Sequence, residues 1–115
     1  MQRIQYGDLL EDDQQLAREH ERMALDQSIL LLEQAGSVGA SSVQAAEAIA
    51  FTSKLWTVLV EDLANPNNGL PKGLKAQIVS IGIWILRDLE QARTDEAHDF
   101  SDVVAVSKAI RDGLT

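Results

Sequence analysis

Cysteine is absent from this sequence, and proline occurs only twice. Without cysteine, the chain can form neither disulfides nor thiolate metal or redox sites. Little proline together with 45% hydrophobic residues is typical of a compact fold and unlike a disordered segment. At 115 residues we expect one domain, long enough to bury roughly two-thirds of the surface that its unfolded form exposes.

Long apolar runs are also missing. The longest apolar block, residues 78–86, is far shorter than the roughly 20 residues that cross a membrane. The first residues lack the apolar core of a signal peptide. We therefore expect a soluble, cytoplasmic protein with no membrane insertion.

Basic residues are scarce and scattered. The chain has 10 Lys and Arg against 18 Asp and Glu, which gives a net charge of −8. Because direct binding to nucleic acid depends on clustered cations, this charge argues against it and favours a protein partner.

Motifs for catalysis are not found either. The sequence has no glycine-rich phosphate loop and no Gly-x-Ser-x-Gly turn. The histidines, His20 and His98, lack a repeated Glu-x-x-His pattern, so we interpret them as structural or solvated rather than as metal ligands. We expect no enzymatic activity, no cofactor and no metal.

Hydrophobic periodicity predicts an all-α fold, an antiparallel bundle of about four helices. Their predicted starts are Asp12, Ser41, Pro71 and either Asp99 or Ser101, and their predicted ends lie near Gly36, Ala64, Arg93 and Gly113. Residues 1–12 are expected to form an N-terminal arm, followed by a single helical domain at 13–115. Such an arm either covers an edge of the core or frays, or else it binds a partner.

The second predicted helix is the most apolar. Its apolar side contains Ile49, Leu55, Trp56, Leu59, Val60 and Leu63. Since only a narrow stripe remains polar, we expect a central helix wrapped by several neighbours. Asp62 lies at the edge of this apolar side and needs a donor, either Asn68 or the N–H groups that open the next helix.

The first predicted helix carries two apolar stripes. The expected inner face combines Leu16, Met23, Leu30 and Leu31 with the polar His20, Gln27 and Gln34. A second stripe, formed by Leu25, Ile29 and Leu32, lies on the charged side. Either the arm or the fourth helix encloses this second stripe, or it is an interaction surface.

The third predicted helix places Trp84 on its polar side, near Gln77 and Ser80. A tryptophan in that position is either an interface anchor or is covered by the fourth helix or the arm. The expected inner face contains Leu74, Ile78, Ile81, Ile85 and Leu89, with Gly82 marking a close approach of another helix. On the fourth helix the expected inner face is Val103, Val106, Ile110 and Leu114.

The order of several segments resembles the FlaF family of flagellar biosynthesis regulators of alphaproteobacteria. The residues that carry the resemblance include Phe51, Leu55, Trp56, Asp62, Asn65, Asn68, Leu70, Pro71 and Gly82. Phe100 and the closing segment 106–114 extend the resemblance over essentially the whole chain. Two positions depart from it, with Lys75 where arginine is expected and Ser107 where asparagine is expected. A lysine cannot form the bidentate contacts of arginine, so a partner contact at position 75 would be weaker.

The resemblance implies a non-enzymatic protein of flagellum biogenesis that promotes flagellin production and export. It would bind flagellin as a cytoplasmic chaperone or adaptor, and the translational regulator FlbT is a second expected partner. The alternative is a regulator of flagellin expression that acts through a protein such as FlbT. RNA binding is disfavoured by the acidic charge, and the oligomeric state stays open. The predicted partner-binding residues are Trp84, Ser80, Gln77, Leu25, Ile29 and Leu32.

Overall fold

The computed structural model describes residues 6–39, 42–95 and 97–113, with side chains from residue 19 onward. Four helices make up this part of the chain: α1 (Tyr6–Val38), α2 (Val43–Ala64), α3 (Lys72–Ala92) and α4 (Ser101–Gly113). The all-α prediction is therefore confirmed, and the predicted end of α2 at Ala64 is correct.

The expected N-terminal arm is wrong from residue 6 onward, because α1 already begins at Tyr6. The predicted cap, Asp12 with Gln15, lies inside the helix. Leucine, glutamate and glutamine favour helix in this segment, and they outweigh the single Gly7. Residues 1–5, including Ile4 of the predicted arm, lie outside the described residues.

The connection between α1 and α2 depends on Gly39 and Ser42. Gly39 has a φ of 115°, in the region that glycine adopts most easily. The Ser42 hydroxyl donates to the Gly39 carbonyl at 2.7 Å and accepts from the Ala45 N–H at 3.1 Å. Ser42 is therefore the N-cap of α2, whereas the predicted start, Ser41, lies outside the described residues.

The link between α2 and α3 is held by asparagine side chains. Asn68 donates from Nδ2 to Asp62 at 3.2 Å, which confirms one of the two predicted donors. Its Oδ1 accepts from the Leu70 N–H at 3.0 Å, and Asn65 accepts from the Asn67 N–H at 2.9 Å. Pro71 was predicted to be the first residue of α3. The helix begins instead at Lys72, and Pro71 is its N-cap.

The helices pack in the order α3, α2, α1, α4. Helix α2 packs against α1 and α3, and α4 packs against α1. Arg111 pairs with Asp26 at 3.1 Å and Lys108 with Glu33 at 3.3 Å, so α4 runs antiparallel to α1. The resulting shape is a slab of 57 × 31 × 19 Å.

Helix α2 is less enclosed than predicted. With α1 and α3 as its principal neighbours, it leaves Val58 54% exposed and Phe51 37% exposed. The expectation of a narrow solvent stripe is therefore wrong, because α4 packs on α1 instead of on the free side of α2.

Trp56 lies in the middle of the core and is fully buried. Opposite it, α3 presents Gly82, where an added Cβ would lie 2.8 Å from Val60 Cγ2 and 2.9 Å from Trp56 Cε3. The predicted close approach at Gly82 is confirmed. The core contains Leu25, Leu32, Ala35, Ala45, Ala48, Ile49, Trp56, Leu59, Ile85, Leu89, Ala92, Phe100 and Val103.

The two faces of α1 are exchanged relative to the prediction. Leu25 and Leu32 are fully buried, whereas Met23 and Leu30 are 60% and 50% exposed. The three polar residues of the expected inner face, His20, Gln27 and Gln34, are also exposed.

The physical reason is that both α2 and α4 pack against α1, so that side of the helix buries Leu25, Ile29 and Leu32. Asp26 and Glu33 bind Arg111 and Lys108, so the charged side of α1 borders a neighbouring helix instead of open water. Leu31 is only partly buried, and the side chain of Leu16 lies outside the described residues.

The predicted inner faces of α3 and α4 are largely correct. Ile85, Leu89 and Val103 are buried, and Ile78, Ile81, Val106 and Ile110 are partly buried against the core. Leu74 is the exception at 42% exposure. It lies in the first turn of α3, about two helical turns before Gly82. Leu114 lies outside the described residues.

His98 stabilises the link between α3 and α4 through contacts with Asp88 and Phe100. Its Nε2 lies 2.9 Å from Asp88 Oδ2, and its ring meets Phe100 edge-on at 5.6 Å between centroids. Asp99 then accepts from the Ser101 N–H at 2.8 Å. This bond, together with a second from the Ser101 hydroxyl, lowers the pKa of the Asp99 carboxyl. His98 is thus structural and His20 solvated, as interpreted from the sequence.

Replacing Gly82 tests the packing of α3 on α2. Gly82→Ala should destabilise the protein by about 1–3 kcal/mol, because neither the Val60 methyl nor the Trp56 ring can move away cheaply. Gly73→Ala is the control, since a Cβ there meets nothing within 4 Å, and it should be neutral or stabilise by up to about 1 kcal/mol. Urea unfolding measures both changes, and equal effects would contradict the close approach.

The two tryptophans should differ in their contribution to stability. Trp56→Ala should cost about 3–5 kcal/mol through the cavity that it leaves. Trp84 is 40% exposed, so Trp84→Ala should change the free energy of unfolding by no more than about 0.5 kcal/mol. Thermal unfolding monitored by circular dichroism measures both, and a similar loss in the two variants would show that Trp84 belongs to the core.

Candidate protein-binding face

The outward side of α3 exposes two large apolar side chains. Trp84 is 40% exposed and Ile83 is 42% exposed. The opposite side of α3 contains the buried Gly82, Ile85 and Leu89, which pack towards α2. An exposed tryptophan beside an isoleucine offers a large contact area with one polar group, as interface anchors do.

Three of the six predicted partner-binding residues lie together on this side. Gln77, Ser80 and Trp84 are all exposed, and their spacing of three, four and seven residues places them on one helical face. The alternative in which the fourth helix covers Trp84 is wrong, because α4 packs against α1.

The other three predicted residues are in the core. Leu25 and Leu32 are fully buried and Ile29 is 4% exposed. These side chains therefore offer no surface to a partner in this structure. The helices that pack against α1 and enclose these side chains are α2 and α4. The sequence had suggested α4 but not α2.

Positive charge accompanies the apolar pair on α3. No aspartate or glutamate occurs between Pro71 and Arg87, whereas Lys72, Lys75 and Arg87 all lie in this stretch. None of these three forms an ion pair within 4.0 Å in the described part of the chain. In a chain with a net charge of −8, this stretch is locally basic.

Ile83 is the residue of this face that the sequence interpretation missed. It belongs to the apolar block 78–86, of which the sequence interpretation placed Ile78, Ile81 and Ile85 inside and Trp84 outside, while Ile83 was assigned to neither face. A helical turn of about 100° per residue places Ile83 well away from Ile85. This angular separation from the inner face is the sequence signal that could have identified Ile83 as exposed.

A second exposed apolar stripe lies on α1. Met23 and Leu30 are seven residues apart, and the uncharged Gln27 and Gln34 are exposed beside them. Helix α2 separates this stripe from α3 in the packing order. The protein therefore presents two distinct apolar surfaces on different helices.

An open groove of about 500 Å³ lies between α1 and the start of α4. The ion pair of Lys108 with Glu33 borders it, and Asp99 is engaged by Ser101. The lining residues are Leu32, Glu33, Gly36, Asp99, Phe100, Ser101, Val104, Ala105 and Lys108. Its polar groups are thus paired with one another.

Among the described side chains, no group of three or more His, Asp or Glu is arranged to hold a metal ion. Nor is any described helix both long and apolar enough to span a bilayer.

A family model for the flagellar protein FlaF matches residues 2–114 of the sequence. No curated protein and no solved structure shows significant similarity to the chain. The family match spans nearly the whole chain and includes the residues of the α2–α3 link and Gly82. The protein therefore belongs to the FlaF family of flagellar proteins.

Proposed function

We propose that this protein acts in the cytoplasm by binding flagellin as a chaperone or adaptor, and so promotes flagellin production and export. The observation that carries the proposal is the exposed pair of Ile83 and Trp84 on α3, 42% and 40% accessible to solvent. Family membership supplies the flagellar setting. The mechanism is stoichiometric binding without a chemical step.

The exposed face of α3 suits an amphipathic helix of a partner. Such a helix would lay its apolar side on Ile83 and Trp84, while Ser80 and Gln77 supply hydrogen-bonding groups at the edge. Covering the apolar side of a flagellin helix in this way would prevent premature polymerisation.

The second exposed stripe favours an additional candidate function, regulation of flagellin expression through FlbT. Met23 and Leu30 lie on α1 and can be covered without blocking α3, since α2 lies between the two helices. One chain with two apolar surfaces can hold two protein partners at once. This arrangement supports an adaptor that joins flagellin to a regulator.

Calorimetric titration of the purified protein with monomeric flagellin tests the first proposal. We expect a one-to-one complex with a dissociation constant in the micromolar range or tighter. Trp84→Ala should weaken it by at least about tenfold, the loss of one interface anchor. Met23→Ala removes a more exposed apolar side chain from α1 and should leave flagellin affinity unchanged. No complex at micromolar concentrations would refute the proposal.

The same two variants separate the second candidate from the first. If FlbT binds the α1 stripe, Met23→Ala should weaken FlbT binding while Trp84→Ala leaves it intact. A pull-down that retains flagellin but never FlbT would eliminate the regulatory candidate.

A further inference from the structure

The outward side of α3 carries a continuous stripe, made of Lys72, Ala76, Ser80, Ile83, Trp84 and Arg87. All six residues are exposed, and their spacings of three and four residues keep them on one side of the helix. At about 1.5 Å per residue the stripe is roughly 23 Å long. We call it the α3 stripe.

The α3 stripe has one cation at each end, with Arg87 about one helical turn from its apolar pair and Lys72 about three turns away. Arg87 follows Trp84 by three residues and Ile83 by four, so its guanidinium group belongs to the same patch of surface. Lys72 lies at the other end of the stripe. Lys75, which is partly buried, flanks the stripe on the side nearer α2.

These cations have no acidic partners among the side chains that the structure describes. Arg93, Lys108 and Arg111 each pair with a carboxylate. In the same described region, Lys72, Lys75 and Arg87 pair with none, and the same is true of Arg22 on α1 and Lys54 on α2. Of these unpaired cations, Arg87 lies within one helical turn of the exposed Trp84, and Lys72 lies at the other end of the same stripe. Such an arrangement is complementary to a partner with negative charge at the same spacing.

We propose that the α3 stripe binds a partner helix whose apolar side is flanked by carboxylates. The inference rests on the proposed function and adds the chemistry of the bound segment, an acidic amphipathic helix. Ile83 and Trp84 supply the buried centre of the contact. Arg87 and Lys72 form charged pairs at its rim, which set the orientation of the helix and accelerate association.

Charge also disfavours two other possible ligands of the α3 stripe, a second copy of the protein and nucleic acid. A symmetric contact between α3 stripes of two copies would bring Arg87 and Lys72 against cations of the same kind. Nucleic acid would have to approach a chain with a net charge of −8, and three cations are few for phosphate binding.

Charge reversal with a matched control tests the proposal. Arg87→Glu reverses a cation in the α3 stripe, and Lys54→Glu makes the same change in net charge on the exposed surface of α2. Both variants are titrated with monomeric flagellin and with FlbT, at low and at high salt. Size-exclusion chromatography with light scattering of the protein alone reports self-association.

We expect Arg87→Glu to weaken binding of the α3 partner by at least about fivefold at low salt, mainly through slower association. High salt should reduce the difference, because rim charges are screened. Lys54→Glu should bind like the unchanged protein. The reciprocal change, replacing a flanking carboxylate of the partner helix by lysine, should restore binding to Arg87→Glu.

The outcomes separate this inference from the proposed function. If flagellin binds and Trp84→Ala weakens it, but Arg87→Glu behaves like Lys54→Glu, the acidic helix is refuted and the chaperone proposal stands. If neither flagellin nor FlbT binds the unchanged protein, both proposals fall. Dimerisation of the protein alone that Arg87→Glu abolishes would show that a second copy occupies the stripe, which also overturns the inference.

Discussion

The contact between α2 and α3 at Gly82 is the constraint on which the rest of the structure depends. With no side chain on Gly82, α3 approaches until Trp56 and Val60 lie against its backbone. The indole Nε1 of Trp56 is buried and has no hydrogen-bond partner among the described residues, so the ring is held there chiefly by packing. The same contact fixes the rotation of α3 about its axis and thereby turns Ile83 and Trp84 to the outside.

Local signals in the sequence predicted the elements on which this contact rests. Helix α2 ends at Ala64, two residues before Pro66, which cannot continue a helix. The interaction of Asp62 with Asn68 depends on residues only six positions apart. Gly82 within an apolar helix was itself the sign of a close approach. The place of Trp84 among polar neighbours left two alternatives, an exposed anchor or a covered side chain, and the structure shows it 40% exposed. Each of these features depends on nearby residues, which a single sequence displays.

The features that the sequence did not predict depend on distant residues. The orientation of α1 is the main example, because Asp26 meets Arg111 across 85 positions of the chain. A helical wheel assigns charged residues to water, whereas α4 supplies the cations that allow this side of α1 to face a neighbour. The packing of α4 against α1 instead of α2 also depends on residues far apart in the sequence. It leaves Val58 of α2 exposed to solvent.

The thin slab has a consequence for the free energy of the folded chain. Its accessible surface is 7877 Å², whereas a compact monomer of 12.6 kDa is expected to expose only about 6,200 Å². The excess of roughly 1,700 Å² is about twice the 800 Å² or so that one partner contributes to a typical interface. An isolated chain therefore leaves in solvent surface that a more compact fold of the same mass would bury. Any molecule that binds this surface only in the folded chain would stabilise the fold, because binding and folding are thermodynamically linked.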